Sequence, residues 1–523
     1  MAGRFKPVNI AGPVALLLMA LLVVAPLLAL WSQAEGTAGL SVPDWSAIRF
    51  TLFQAVLSAG ISVLLAIPAA RALARRQFRG RAALITLLGA PFLLPVIVAV
   101  LGILAVWGRA GIMSRGLEVF GSGPISVYGL TGILLAHVFF NLPLVTRLIL
   151  QGWAGIPAEH FRLAAQLDMR PDDIFRRLEW PMLKGVLPGA FLLVFLLSIT
   201  SFAVTLALGG GPKATTIELA IYQALRFDFN LGRAALLGLV QFGICAVVVL
   251  ASLKLSRQTD FGATLGVPVQ RFDARGGWRL WQDRIVLLGV SLFLGAPLVA
   301  VLLRGVPGLV NLPASLWPAM GNSLLISLGS ALLALVLALM LAGFIDRLRA
   351  RQARGASIVE GIALSTLALS PFVLGTGLFI LLYPVANPFA LALPVTTLVN
   401  AAMSLPIALR ALLPAFAANR RSLGLLADSL GMSGWSRFRL FLWPAIRKPA
   451  GFATGLAAAL SMGDLGVITL FAPPEVETLP LLMYRLMGAY RMEDAASVAL
   501  VLVAVTLALF WLFDRGGRLG HHT

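Results

Sequence analysis

Charge is scarce in this chain. Of its 523 residues only 12% are Asp, Glu, Lys or Arg, against 59% hydrophobic, and the mean hydropathy is +0.92. A soluble domain needs roughly 25% charged residues to cover itself, so a soluble globular enzyme is excluded. Cysteine is nearly absent. The single Cys245 lies in an apolar run, which leaves no disulfide framework and no thiolate metal site. The four histidines, His137, His160, His521 and His522, show no ligand spacing, so no metal or other cofactor is expected. The alternating ~10-residue segments of an outer-membrane barrel are missing too. No G-x-x-x-x-G-K-[ST] occurs, and Gly209-Gly210-Gly211-Pro212-Lys213 lacks that spacing and reads as a turn. No ATP site and no catalytic residues are therefore expected. Intramembrane carboxylates are equally rare, with Asp464 the clear case and Glu360 near a span end. A proton- or sodium-driven carrier normally holds several such groups, so the driving force is expected from outside the chain.

What is present is a series of long apolar runs. They lie near 11–31, 50–70, 82–107, 127–150, 186–208, 233–253, 285–303, 321–345, 357–383, 389–414, 450–472 and 495–513. A spanning helix needs about 20 such residues, and the reading is an all-α polytopic membrane protein with about 12 transmembrane helices. The first run follows Arg4 and Lys6 but is too long for the apolar region of a signal peptide, about 7–15 residues. The net charge of +19 suggests nucleic acid only until its placement is read. From a cytoplasmic N-terminus, 32 of the 41 Lys and Arg residues fall on the cytoplasmic side. That is the positive-inside bias, and it leaves no nucleic-acid patch. It also puts both termini in the cytoplasm.

The chain repeats itself. Slid by 263 positions, FRLAAQLDMRPDDIFRRLEWP (161–181) meets GLLADSLGMSGWSRFRLFLWP (424–444). They share Ala164/Ala427, Leu167/Leu430, Met169/Met432, Phe175/Phe438, Arg176/Arg439, Trp180/Trp443 and Pro181/Pro444. The same offset pairs Leu142-Pro143 with Leu405-Pro406, and small changes of offset pair Pro91-Phe92 with Pro371-Phe372 and Tyr222 with Tyr484. Two six-span halves in parallel orientation follow, 1–262 and 284–523, joined by a cytoplasmic linker at 263–283. Parallel halves about an axis along the membrane normal suggest a transporter with a pathway between them. The repeated loops, about 153–185 and 416–449, carry apolar residues at helical spacing around a breaker. They read either as caps on the bundle or as short helices that enter a partner's cleft.

Those loops, LAAQLDMRPDDIFRRLEWP and LLADSLGMSGWSRFRLFLWP, resemble the EAA loop of importer-type ABC permeases. In that pattern Glu-Ala-Ala is followed by a Gly and then by an apolar residue and Pro. Here Arg162 and Leu425 stand at the Glu, Leu163 and Leu426 at the first Ala, and Asp168 at the Gly that Gly431 keeps. Together with SFAVTLALGGGPKATTIELAIYQALRFDFNLGRAALL (201–237) and SMGDLGVITLF (461–471), they resemble the thiamine/thiamine pyrophosphate ABC transporter permeases. These are inner-membrane components of binding-protein-dependent importers. Fused ferric-iron permeases share the layout and remain an alternative. A major-facilitator carrier, faintly echoed at Gly343, Asp346 and Arg347, is the other.

The resemblance implies a type I importer permease fold in a bacterial inner membrane. It implies two copies of an ABC ATPase as partners, a periplasmic substrate-binding protein, and thiamine or its phosphates as cargo. ATPase docking falls on Ala164, Leu167, Asp168, Met169, Phe175 and Pro181, and on Ala427, Leu430, Gly431, Met432, Phe438 and Pro444. For a thiazolium cation the expected pathway residues are Asp464, its repeat partner Ser201 and the ring of Phe202, through Coulomb and cation–π attraction. Asp464 reads equally as a cap on a neighbouring helix. Tyr222 and Tyr484 are expected at an outer gate.

Overall fold

Proline lacks the N–H that a helix interior needs, and in the computed structural model of this chain two of the apolar runs break at or beside prolines. The structure describes residues 10–36, 39–121, 124, 126–209, 211–255, 277–353, 355–432 and 434–518. Most of the expected linker, together with Arg4, Lys6, His521 and His522, lies outside them. The expected run at 82–107 divides into Arg81–Leu87, a turn at Ala90–Phe92 and Val96–Trp107, with Pro91 and Pro95 at the breaks. The run at 357–383 divides the same way, into Gly355–Ala363, Ser365–Ala368 and Pro371–Leu382. There Ser370 accepts the Phe372 N–H at 3.0 Å and caps the last piece.

Among the described residues there is no strand, and 11 helices are long and apolar enough to cross a membrane. The chain is thus an all-helical, multi-span membrane protein. The broken 357–383 run separates this count from the expected twelve. Val42–Arg75 has 34 residues, about 51 Å at 1.5 Å per residue, which exceeds a ~30 Å hydrocarbon core. Its basic end, Arg71 and Arg75, therefore projects past the apolar layer.

The chain folds as two units. Unit 1 comprises Met1–Gly39, Ile221–Phe242 and Asn311–Thr523; unit 2 comprises Leu40–Ala220 and Gly243–Val310. These units cut across the sequence halves, because the first span of each half packs into the other half's unit.

In unit 1 the helix Ala11–Ala34 lies against Pro371–Leu382, and a Cβ placed on Gly377 would stand 2.5 Å from the Pro26 Cβ. Val23 and Leu30 join Leu369, Val373 and Ile380 in one core cluster.

In unit 2 the helix Trp278–Gly305 lies against Val96–Trp107, where a Cβ on Gly102 would stand 2.9 Å from the Pro297 Cβ. Phe293 packs on Trp107 and Phe139, and Asp283 takes Arg75 at 2.5 Å and Arg76 at 2.7 Å. Contacts so close between helices need glycine on one side.

Each unit closes one further contact in the same manner. Thr51 accepts the Ile217 N–H at 2.9 Å in unit 2, and Ser323 accepts the Leu479 N–H at 2.8 Å in unit 1.

Candidate functional site

The two repeated loops fold alike. Ala158–Gln166 in unit 2 and the end of Ala392–Ser429 in unit 1 stop at a left-handed residue, Asp168 at φ 45° and Gly431 at φ 63°. In each, the N–H beyond that residue reaches back across the turn: Met169 to the Ala164 carbonyl at 3.0 Å, Met432 to the Ala427 carbonyl at 3.0 Å. This is a glycine-type helix stop. An aspartate held there is strained, by roughly 1–2 kcal/mol before its polar side chain helps. Asp168→Gly is therefore expected to stabilise the protein by about 0.5–1 kcal/mol after the added unfolded-chain entropy. Thermal unfolding in detergent checks this; a lower midpoint would contradict it.

After the turn both loops widen into a single π-helical turn, Phe175–Glu179 and Phe438–Leu442. Pro181 and Pro444 follow, in the first turns of Trp180–Ile199 and Trp443–Met462. A proline clashes with the carbonyl four residues back, and the wider turn removes the clash.

The loops differ in how they are held. Phe175 lies under the Arg71 guanidinium at 4.8 Å, and Arg71 Nε pairs with the buried Glu179 at 2.8 Å. In the other loop Leu442 stands at the Glu179 position, and Phe438 is held between Trp435 at 5.2 Å and Trp443 at 6.0 Å.

Burial sorts the expected docking residues. Ala164 and Ala427 are enclosed, at 2% and 1% exposure, and seat their helices. Met169, Phe175, Met432 and Phe438 are half-buried, while Asp168, Pro181, Gly431 and Pro444 are exposed. The open apolar face is Leu163 with Leu167 (53% and 65% exposed) and Leu426 with Leu430 (50% and 60%). The pair Leu163/Leu426 was not among the expected docking residues. Its signal was identity at the repeat offset, one position before the alanines.

The expected pathway residues divide between the units. In unit 2, Ser201 donates to the Ser198 carbonyl at 2.9 Å and so accepts from His137 Nε2 at 2.6 Å. His137 Nδ1 then takes the Ser58 hydroxyl at 2.8 Å, and the network assigns the Nε2–H tautomer. Phe202 is 4% exposed, so its ring is packed inside the unit.

In unit 1, Asp464 is half-buried between Trp443–Met462 and Gly466–Phe471. Its Oδ1 accepts the Gly466 N–H at 3.1 Å. Asn400 donates to Ser461 at 3.0 Å. His137, Ser198 and Ser201 meet Asn400, Ser461 and Asp464 at the one offset of 263. One unit therefore holds a neutral imidazole and hydroxyls where the other holds an amide, a hydroxyl and a carboxylate. The members His137 and Asn400 went unrecognised in the sequence, because a lone buried histidine carries no ligand pattern.

Tyr222 and Tyr484 lie together in unit 1, close enough to influence each other's ionisation. Burial raises both phenols above their ordinary value; Arg226 and Arg485 partly offset this at Tyr222, and Tyr222 adds to it at Tyr484. Both stay protonated at neutral pH. Ser201 and Phe202 belong to unit 2. Among the described residues no cluster of His, Cys, Asp and Glu could hold a metal ion.

No family model matches the chain. Curated proteins do. The chain is 42% identical over 524 residues to the thiamine transport system permease protein ThiP of Brucella abortus (strain 2308), covering 98% of this chain and 95% of that protein. It is 41% identical over 529 residues to the protein of the same description from Escherichia coli (strain K12), covering 98% of each. A molybdenum transport system permease protein, ModB of Mycobacterium bovis, is 31% identical over 208 residues, 39% of this chain and 77% of that protein.

Proposed function

The chain belongs to the family of thiamine transport system permeases, and from that membership we propose that it forms the membrane pathway of an ABC importer for thiamine and its phosphates. Hydrolysis of ATP takes place on a separate subunit, and this chain makes and breaks no covalent bond. The observation that carries the reading is 41–42% identity running along nearly the whole of this chain and of its relatives.

The loops supply the coupling. Each unit presents an exposed leucine pair at a helix end, Leu163 and Leu167 on the short helix Ala158–Gln166, or Leu426 and Leu430 at the end of the long helix Ala392–Ser429. One ATPase copy seats on each loop, and closure of the ATPase dimer drives both loops and switches the pathway between outward and inward access. The excess of Lys and Arg on the loop side supports an inner-membrane orientation with cytoplasmic termini. A periplasmic binding protein delivers the cargo to the opposite side.

Asp464 is the charged group of the pathway. A carboxylate at membrane depth costs at least ~2.5 kcal/mol unless a cavity or partner meets it, and its Oδ2 is enclosed without a hydrogen-bond partner, which a cation in the pathway would supply. Asp464→Asn keeps the cap on the Gly466 N–H, because the amide oxygen still accepts. It should nevertheless raise the half-saturating thiamine level about tenfold, about 1.4 kcal/mol of lost charge attraction. Unchanged uptake would leave Asp464 as a cap only.

The test of the whole reading is uptake of labelled thiamine by cells lacking the chain, with and without re-expression. Rescue should vanish on ATP depletion and survive a protonophore when ATP is held up. Complex formation with the ATPase without thiamine uptake would reject the cargo; rescue that the protonophore abolishes would reject the ABC mechanism.

A further inference from the structure

Unit 2 contains a cavity of about 620 Å³ between the segment 76–87 and the helix Trp278–Gly305. Its interior is apolar, with Leu84, Leu87 and Leu287 among the lining residues, and its mouth carries Arg76 and Arg284. Basic side chains gather at that mouth. Asp283, 3% exposed, is shared by Arg75 at 2.5 Å and Arg76 at 2.7 Å, so one carboxylate meets two guanidinium groups. Arg284 adds a third. Its guanidinium lies over the Trp281 ring at 5.3 Å, and it has no carboxylate partner among the described residues.

The same helix carries Ile285, Leu288 and Leu292, which are 62%, 60% and 60% exposed. At spacings of three and four they share one face, and Leu288 also lines the cavity. The cavity thus opens onto an apolar face suited to lipid tails, and its cationic mouth lies where the helix leaves the apolar layer. Its size is in the range of small-molecule sites, about 300–1,000 Å³.

We infer that this cavity binds one anionic phospholipid of the leaflet on the basic side, with an acyl chain between Leu84, Leu87 and Leu287 and the phosphate between Arg76 and Arg284. A diacylglycerol phosphate supplies both the tail and the charge. A zwitterionic headgroup brings its own cation to a mouth lined by Arg76 and Arg284, so the site discriminates by charge. The inference stands apart from the cargo; only the naming of the leaflet as cytoplasmic rests on the permease reading.

The experiment is native mass spectrometry of the full chain, delipidated in neutral detergent. It is titrated separately with phosphatidylglycerol, with phosphatidylcholine of the same tails, and with inorganic phosphate. One phosphatidylglycerol per chain should be retained, about tenfold more tightly than phosphatidylcholine. Arg284→Gln, an exposed position that the fold does not need, should weaken it about 5-fold, since a basic residue at a membrane surface contributes roughly 1 kcal/mol. Ala83→Trp, which fills the cavity from its rim without changing charge, should remove the tight adduct altogether.

Equal retention of the two lipids, or a ratio unmoved by Arg284→Gln, would overturn the inference. Inorganic phosphate bound in an Arg284-dependent way without lipid preference would assign the site to a free anion and overturn the lipid. None of these readings involves thiamine, so failure here and failure of the permease reading are separately visible.

Discussion

Gly377→Leu should abolish recovery of folded protein. The Cβ it adds would lie 2.5 Å from the Pro26 Cβ, 2.6 Å from its carbonyl oxygen and 2.8 Å from its Cα. None of these is the free end of a flexible side chain, so the helices Ala11–Ala34 and Pro371–Leu382 must separate. Ordinary overpacking costs about 1–3 kcal/mol, and a clash against rigid proline backbone belongs at the upper end or beyond. A native state held by about 5–15 kcal/mol loses much of its margin. Gly377→Ala should be milder, because it adds a single methyl at the same place. Gly60→Leu, where nothing lies within 4 Å of the added Cβ, is the control and should be recovered normally. Size-exclusion recovery after detergent extraction, with thermal unfolding of whatever remains, makes the measurement. Normal yield of Gly377→Leu would show that Ala11–Ala34 does not seat on that helix.

The double variant Leu163→Asp with Leu426→Asp should separate the ATPase from the membrane chain. Both side chains are half or more exposed, so the fold loses little. Each removes an apolar anchor and puts a carboxylate at the proposed contact, at a cost of about 2 kcal/mol for a central interface residue. That is roughly a 30-fold weaker complex per loop, and thiamine uptake should fall by at least about tenfold. Co-purification with the ATPase, read beside uptake, checks it. The same substitutions at Ala164 and Ala427 would be uninformative, because those alanines are enclosed and a carboxylate there damages the loop itself. Retained ATPase binding in the double variant would reject the leucine face as the docking surface.

Much of the site was legible at the level of residue pairs and little at the level of faces. The offset of 263 picks out Asp168 with Gly431, and the structure gives both the same left-handed turn. It also aligns Ser201 with Asp464, which occupy matching places in two polar clusters. What the offset does not reveal is direction. Ala164 and Leu163 are adjacent and both repeat, yet one is 2% and the other 53% exposed. Phe202 offers an aromatic face by composition, but packing encloses it.

The long apolar runs, the basic side and the doubled loop are properties of the sequence by itself, because hydropathy, charge and repetition are local quantities that each segment carries wherever it packs. The assignment of Ala11–Ala34 to unit 1 and of Trp278–Gly305 to unit 2 was decided only in the tertiary structure. Ala11–Ala34 is uniformly apolar and would satisfy any partner by hydrophobicity alone, while Trp278–Gly305 also brings its buried Asp283 to Arg75 and Arg76. Steric fit selects the partner: Pro26 against Gly377 and Pro297 against Gly102 admit close approach where a side chain would prevent it.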